Sequence, residues 1–114
     1  MQRIIAMAIA FIALFTVFDT SVLAAPVGDL DSGAAVFKAN CAGCHVNGGN
    51  IVRRGKNLKL KALHRNKADT QDAIAYIVTN GKGIMSAYGD KLTPEQIADV
   101  SAYVLQRAET GWKK

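Results

Sequence analysis

ANCAGCHVNGG, residues 39–49, holds both cysteines of the chain and one of its two histidines. A close cysteine pair serves as a redox-active dithiol, as part of a metal site, or as the attachment point of a haem. A dithiol of the thioredoxin kind requires a βαβ pattern, and no stretch of the chain shows sustained strand alternation. A structural zinc site requires four ligands, and only two scattered histidines accompany Cys41 and Cys44. The spacing from Cys41 to His45 therefore indicates haem attachment, and a haem stain would exclude the remaining alternative, a thiol-disulfide oxidoreductase.

The C-x-x-C-H spacing has a chemical reason. Two thiols three positions apart at a helix end can each form a thioether with one haem vinyl group, and His45 then offers the proximal nitrogen to iron. Met85, 40 residues later in a glycine-rich loop, is the one thioether outside the N-terminal apolar stretch. His/Met ligation closes the iron and favours electron transfer over oxygen chemistry. A haem sensor or enzyme, the alternative function, requires a displaceable sixth ligand, and the rival ligand His64 is expected to be a surface histidine.

The N-terminus has the pattern of a cleaved secretory signal peptide, residues 1–24. A basic start at Arg3 precedes an apolar run from Ile4 to Phe18, and Val22-Leu23-Ala24 fits the small-x-small cleavage rule. A membrane anchor is the alternative, but the run is shorter than the roughly 20 residues that span a bilayer. Cleavage after Ala24 would leave one domain, residues 25–114.

Charge and composition restrict the partners. The net charge is +5, and loss of the signal peptide, which holds one cation and one anion, leaves it unchanged. Only 7% of the residues are aromatic and no nucleic-acid motif is present, so a nucleic-acid partner is not expected. A basic segment from Arg53 to Lys67 carries seven Lys/Arg and no acid. It is either a solvated face or a docking surface for an acidic partner, in which case electron transfer should slow as ionic strength rises.

Three or four helices are predicted. They run from Leu30 to Cys41, near Leu58 to Leu63, from Thr70 to Thr79, and onward from the N-cap Thr93, where Pro94 and Gln96 complete the start signal. Asp29 is the expected N-cap of the first helix, and Asn80-Gly81 the end of the third. The apolar residues expected to face inward are Leu30, Ala34, Phe37 and Cys41, then Ala73, Ile74, Ile77 and Val78, then Ile97, Val100, Val104 and Ala108. The result is a small all-α domain.

Nearly the whole of residues 25–114 resembles the cytochrome c6 (soluble cytochrome c-553) family of class I c-type cytochromes. The resemblance runs through GAAVFKANCAGCH, NGGN and VTNGKGIMSAYGDKLTPEQIADVSAYVLQRAETGWKK. It implies three to four short helices wrapped around one covalent haem c, bound through Cys41 and Cys44 with His45 and Met85 as axial ligands. It also implies that Gly33 and Phe37 pack against Tyr103.

The resemblance further implies a monomeric electron carrier and not an enzyme. Members of the family carry electrons from cytochrome f of the cytochrome b6f complex to photosystem I, and some feed a terminal cytochrome oxidase. Contacts with such partners are peripheral and transient. The export signal fits a cyanobacterial thylakoid lumen or periplasm.

Three positions depart from the family pattern. Ser86 stands where proline often follows the axial methionine, which concerns loop stiffness and not the ligand. Lys91 stands where many members have arginine. Lysine keeps the positive charge but lacks the planar guanidinium group, which can form two parallel hydrogen bonds. Ile77 stands where typical members have glutamine close to the haem, as in variant subgroups of the family. An apolar residue there removes an electrostatic bias between redox states, so a lowered potential is expected.

Overall fold

The computed structural model describes residues 28–113, which form four α-helices. These are α1 (Leu30–Asn40), α2 (Leu60–Arg65), α3 (Gln71–Asn80) and α4 (Pro94–Glu109), with short 3₁₀ turns at Val46–Gly48 and Arg54–Lys56. Within the described residues, the only β-type pairing is an isolated bridge between Lys82 and Met85. The all-α prediction is confirmed. The predicted signal peptide, residues 1–24, and its cleavage site lie outside the described residues.

Side chains at the helix starts provide the expected caps. The Asp29 carboxylate accepts the backbone N–H groups of Asp31 and Ser32 at the start of α1. Thr93 and Gln96 form a reciprocal capping box at the start of α4, where Pro94 is the first helical residue. The predicted third helix begins one residue later than expected, because Thr70 is its N-cap and accepts from the backbone of Ala73. These bonds satisfy N–H groups that have no partner inside a helix.

The main packing contact joins α1 to α4. Gly33 lies so close to α4 that a Cβ atom there would overlap the backbone of Asp99 and lie 2.7 Å from Tyr103 Cβ. One turn further, the rings of Phe37 and Tyr103 pack with centroids 5.4 Å apart. The prediction that Gly33 and Phe37 pack against Tyr103 is therefore confirmed, and the glycine permits the close crossing.

Trp112, just beyond α4, packs against the α1–α4 core on the side that faces the loops between α1 and α2. Its ring lies 5.4 Å from Phe37 between centroids, and the Arg107 guanidinium lies 5.7 Å from the ring centroid. The indole N–H donates to the Leu58 carbonyl at 2.9 Å. Gly48 lies under the indole, where a Cβ atom would come within 2.5 Å of ring atoms. Trp112 therefore connects the helices to the loops between α1 and α2.

The buried faces follow helical spacing, with one correction on α1. Leu30 is 41% exposed, whereas Gly33, Val36 and Phe37 are buried. Of the predicted stripe, Phe37 is buried and Ala34 and Cys41 are half-buried, so the pattern was wrong at Leu30 and missed Val36 and Gly33, a glycine without a side chain to count. On α4 the expected stripe is buried, namely Ile97, Val100, Val104 and Ala108. Among residues 28–113 there is no helix with the length and apolar character needed to cross a membrane.

Candidate haem site

Both cysteines lie in the turn that ends α1. Cys41 is the C-cap residue and donates its backbone N–H to the Phe37 carbonyl at 2.8 Å. The Cys41 carbonyl in turn accepts the backbone N–H groups of Cys44 at 3.2 Å and His45 at 2.9 Å. The helix prediction was one residue too long here, because the chain turns at Cys41. The turn brings three of the sequence-predicted site residues together at one helix end.

The two thiols have different environments. Both cysteines are free; Cys41 is half-buried and packs against the core, whereas Cys44 is exposed. Burial, and secondarily the nearby Cys44, raises the pKa of the Cys41 thiol to about 11. The raised pKa favours the neutral thiol of Cys41 over the thiolate.

The His45 ring is held by a hydrogen bond to the backbone. Its Nδ1 atom lies 2.8 Å from the Gly49 carbonyl oxygen. A carbonyl can only accept, so Nδ1 carries the proton and donates. Nε2 then has the free lone pair that a metal requires. The hydrogen bond at Nδ1 fixes the orientation of the ring. The turn itself is fixed by backbone bonds from Gly48 to His45 (3.0 Å) and from Gly49 to Val46 (2.8 Å).

Met85 lies in a short turn between α3 and α4. The backbones of Lys82 and Met85 exchange two hydrogen bonds, at 3.1 and 3.0 Å. Gly81 precedes them with φ +73°, and a Cβ atom there would lie 2.6 Å from the Met85 carbonyl oxygen. This close approach and the positive φ both require glycine. Met85 is half-buried and packs against the hydrophobic core.

Tyr88 connects the Met85 turn to the cysteine turn, a link that sequence reasoning missed. Its hydroxyl donates to the carbonyl of Asn40, the residue before Cys41, at 3.1 Å, and its backbone N–H donates to Val78 at 2.8 Å. An aromatic residue three positions after the methionine was the available signal. Tyr88 thus ties the turn that carries Met85 to the end of α1, where the cysteine turn begins, and to α3.

The apolar surroundings fit a haem. Cys41, Ile77 and Met85 are all partly buried residues that contact the same hydrophobic core. Beside the predicted axial ligands, Val46 remains 53% exposed and Ile84 remains 74% exposed. Exposed apolar side chains at both ligands suit a flat apolar group that would cover them. The donor set, two thiols with an oriented imidazole and a thioether, matches that of a His/Met haem c.

His64 is outside this constellation. Its side chain is 80% exposed, and Nδ1 lies 2.8 Å from the Asp69 carboxylate. This hydrogen bond lowers the pKa of the Asp69 carboxyl, with smaller contributions from its backbone and from the charge of His64. The expectation of a surface histidine is confirmed.

Comparison with known proteins gives consistent matches. The sequence model of the family described as cytochrome c oxidase, cbb3-type, subunit III matches residues 28–104. Cytochrome c6 of Thermostichus vulcanus is 47% identical over 111 residues, 97% of this chain and 96% of that protein. A cytochrome c6-like protein of Nostoc sp. PCC 7120 is 55% identical over 72% of this chain and 74% of its own length.

Solved structures agree with the sequence matches. Cytochrome c6C of Synechococcus sp. PCC 7002 is 62% identical, with a TM-score of 0.69 over 70% of this chain and 98% of that one. Cytochrome c6 of the diatom Phaeodactylum tricornutum has a TM-score of 0.73 at 44% identity, over 75% of this chain and all of that one. The fold is therefore that of class I cytochromes c. The chain belongs to the cytochrome c6 family, whose members are electron carriers, not enzymes, with one covalently bound haem c.

Proposed function

We propose that this chain is a one-electron carrier whose haem is linked to Cys41 and Cys44 and whose iron is held by His45 and Met85. The observation that carries this proposal is the bond from His45 Nδ1 to the Gly49 carbonyl, at 2.8 Å. It leaves Nε2 as the nitrogen for iron, beside two thiols that can anchor the ring. When bound, the haem supplies a reversible one-electron couple, and closed His/Met ligation suits this couple to electron transfer.

The protein's own part would be to keep the His45 and Met85 side chains in place for the iron. The Gly49 carbonyl fixes the imidazole plane, and the paired hydrogen bonds between Lys82 and Met85 fix the methionine turn. Met85 is also held by its contact with the hydrophobic core. A site whose groups are already oriented needs little rearrangement when charge changes.

The optical spectrum of the protein, matured with a c-type haem-attachment system, tests the ligands. We expect a sharp reduced α-band and, in the oxidised form, the weak long-wavelength band from methionine sulfur to ferric iron. Met85→Ala should abolish the sulfur band and keep the covalent haem, whereas His64→Ala, the control, should leave the spectrum unchanged. A wild-type haem spectrum without the sulfur band would contradict the assignment and point to His64 or an open iron, and a chain without haem would be a dithiol protein.

We further propose that Ile77 lies near the haem and lowers its potential relative to cytochrome c6 proteins with glutamine there. Ile77 is half-buried and contacts the core that Cys41 and Met85 also contact. An apolar side chain offers no dipole to the ring, so one redox state loses electrostatic support. Ile77→Gln should raise the midpoint potential in a potentiometric titration. Leu30→Gln, at the exposed start of α1, is the matched control and should leave it unchanged; equal potentials in all three proteins would contradict the proposal.

The proposed partners are cytochrome f as donor and photosystem I or a terminal cytochrome oxidase as acceptor. Similarity to cytochrome c6 proteins of cyanobacteria supports this assignment. Flash oxidation of purified photosystem I in the presence of the reduced protein should be followed by concentration-dependent re-reduction, and cytochrome b6f should reduce the oxidised protein. If neither the re-reduction of photosystem I nor the reduction of an oxidase depends on the concentration of the protein, the proposed partners are wrong.

Export to the thylakoid lumen or periplasm is also proposed, with cleavage after Ala24. The match to cytochrome c6 of Aphanizomenon flos-aquae supports the domain 25–114, because 86 residues of this chain cover 99% of that protein. Mass spectrometry of the haem protein isolated from a cyanobacterial host should give an N-terminus at Ala25. Retention of residues 1–24 in that protein would contradict the proposed cleavage.

A further inference from the structure

Tyr88 is fixed at both ends of its peptide unit in the loop that joins α3 to α4. Its backbone N–H donates to the Val78 carbonyl of α3 at 2.8 Å, and its own carbonyl accepts the backbone N–H groups of Lys91 at 3.0 Å and Leu92 at 2.9 Å. The ring packs against the hydrophobic core, and Lys91 Nζ lies 5.3 Å from the ring centroid. Tyr88 is therefore joined both to the last turn of α3 and to the residues that lead into α4.

The two residues between Met85 and Tyr88 have no such support. Ser86 and Ala87 are both exposed, and within residues 28–113 neither takes part in a hydrogen bond. Their backbone packs against Gly81, where a Cβ atom would lie 2.9 Å from the Ala87 nitrogen. The first residue after the predicted sixth ligand that hydrogen bonds join to the rest of the fold is thus Tyr88.

The Tyr88 hydroxyl crosses from the Met85 turn to the cysteine turn. It donates at 3.1 Å to the carbonyl of Asn40, the last residue of α1 and the one before Cys41. The last carbonyls of a helix have no partner inside the helix, so this oxygen is free to accept from a distant side chain. The bond therefore links the segment of the predicted sixth ligand to the segment of the predicted thioethers.

This bond differs in kind from those that shape the Met85 turn itself. The paired hydrogen bonds between Lys82 and Met85 lie inside the turn and would move with it. The bond from Tyr88 to Asn40 spans the two sides of the site, so it must break when the two sides separate. Asn40 is exposed, and water can replace the hydroxyl at its carbonyl, so the loss of this bond should affect global stability only slightly.

We infer that Tyr88 is a positioning residue for Met85, because its bond to Asn40 opposes separation of the Met85 turn from the cysteine turn. The inference rests on the proposed function, in which His45 and Met85 hold the iron. An added ligand such as imidazole can bind only while Met85 is off the iron, so its apparent affinity follows the population of that open state. A bond made only in the closed state lowers this population.

Imidazole titration of the oxidised haem protein tests the inference. Tyr88→Phe keeps the ring and removes the hydroxyl, and it should bind imidazole about fivefold more tightly, as the loss of one neutral hydrogen bond predicts. Tyr76→Phe is the matched control, because it removes the same atom from a tyrosine of α3 that is 70% exposed and whose hydroxyl has no partner among residues 28–113. Its imidazole affinity should equal that of the wild type.

A second readout separates positioning from a purely structural role. In Tyr88→Phe the sulfur band should disappear at a lower temperature than in the wild type, whereas the thermal melt followed by far-ultraviolet circular dichroism should change little. A lowered melt with unchanged imidazole affinity would overturn the inference, and so would an equal gain of affinity in Tyr76→Phe. A wild-type protein without the sulfur band would instead contradict the proposed ligands, so the two failures are distinguishable.

Discussion

The α1–α4 pair and the loops around the predicted haem ligands are built in different ways. The helix pair has a densely buried core, and on α4 Val100 and Ala102 have no exposed surface. The loops leave Ile51 69% and Ile84 74% exposed and are held mainly by hydrogen bonds. The helix pair can therefore hold its shape through packing, whereas the shape of the loops depends mainly on hydrogen bonds. Changes in the helix pair should alter stability, and changes in the loops should alter the ligands and the potential.

Trp112 is the residue that joins the two regions, so its loss should have the largest effect. Trp112→Ala should lower the free energy of unfolding by about 3–5 kcal/mol, because it removes a buried ring from Phe37 and Tyr103. Urea unfolding of the haem protein, followed by circular dichroism, measures the loss.

Trp112→Phe separates the packing of this residue from its hydrogen bond. Phenylalanine keeps an aromatic ring but leaves the Leu58 carbonyl without its indole donor. We expect a loss of about 1–2 kcal/mol, smaller than for alanine. No loss in Trp112→Phe would contradict the view that Trp112 also fixes the loop.

Gly33 tests the helix pair alone. Gly33→Ala should lower the free energy of unfolding by about 1–3 kcal/mol, since the new Cβ would collide with the backbone of Asp99. Gly55→Ala is the matched control in the basic segment, where an added Cβ has nothing within 4 Å. Thermal melts of both variants should show a lower Tm for Gly33→Ala and little change for Gly55→Ala. Similar Tm values would mean that the helices move apart without cost.

Ser101 offers a change in the opposite direction. It is completely buried in α4, and its hydroxyl has no hydrogen-bond partner among residues 28–113. Burial of an unsatisfied hydroxyl is unfavourable, so Ser101→Ala should raise the free energy of unfolding by about 1 kcal/mol. Ser32→Ala, on the exposed side of α1, is the control for a serine outside the core. A destabilised Ser101→Ala protein would contradict the view that this hydroxyl is buried without a hydrogen bond.

The sequence predicted best what depends on local signals. Thr93, Pro94 and Gln96 predicted the start of α4 because a capping box is complete within four residues. The C-x-x-C-H motif likewise needs no distant partner. The packing of Gly33 and Phe37 on Tyr103 came from the family resemblance, not from local patterns, and is confirmed.

What the sequence did not predict depends on residues that are far apart along the chain. The indole of Trp112 bonds to Leu58, 54 residues away, and the hydroxyl of Tyr88 bonds to Asn40, 48 residues away. No periodicity encodes such pairs. The α2 helix was expected near Leu58 to Leu63 but spans Leu60–Arg65, because the preceding 3₁₀ turn and Asn57 shape the chain up to Lys59.

The smallest expected effect lies on the surface, at His64 and Asp69. The hydrogen bond from His64 lowers the pKa of the Asp69 carboxyl, so His64→Ala should raise that pKa towards its ordinary value of 3.8. A carboxyl with a depressed pKa stabilises the folded state above its ordinary pKa, and this contribution disappears as the pH falls through the folded-state value. The wild-type protein should therefore have a slightly higher free energy of unfolding than His64→Ala near neutral pH, and this difference should disappear only below about pH 4. An NMR titration of the Asp69 carboxyl measures the shift, with Lys61→Ala as a control that removes a cation of the same helix. If the Asp69 pKa stays equally low in His64→Ala, the depression comes from the backbone hydrogen bond and from the positive charge of the basic segment. If the Asp69 pKa instead rises in Lys61→Ala, that positive charge is the larger cause.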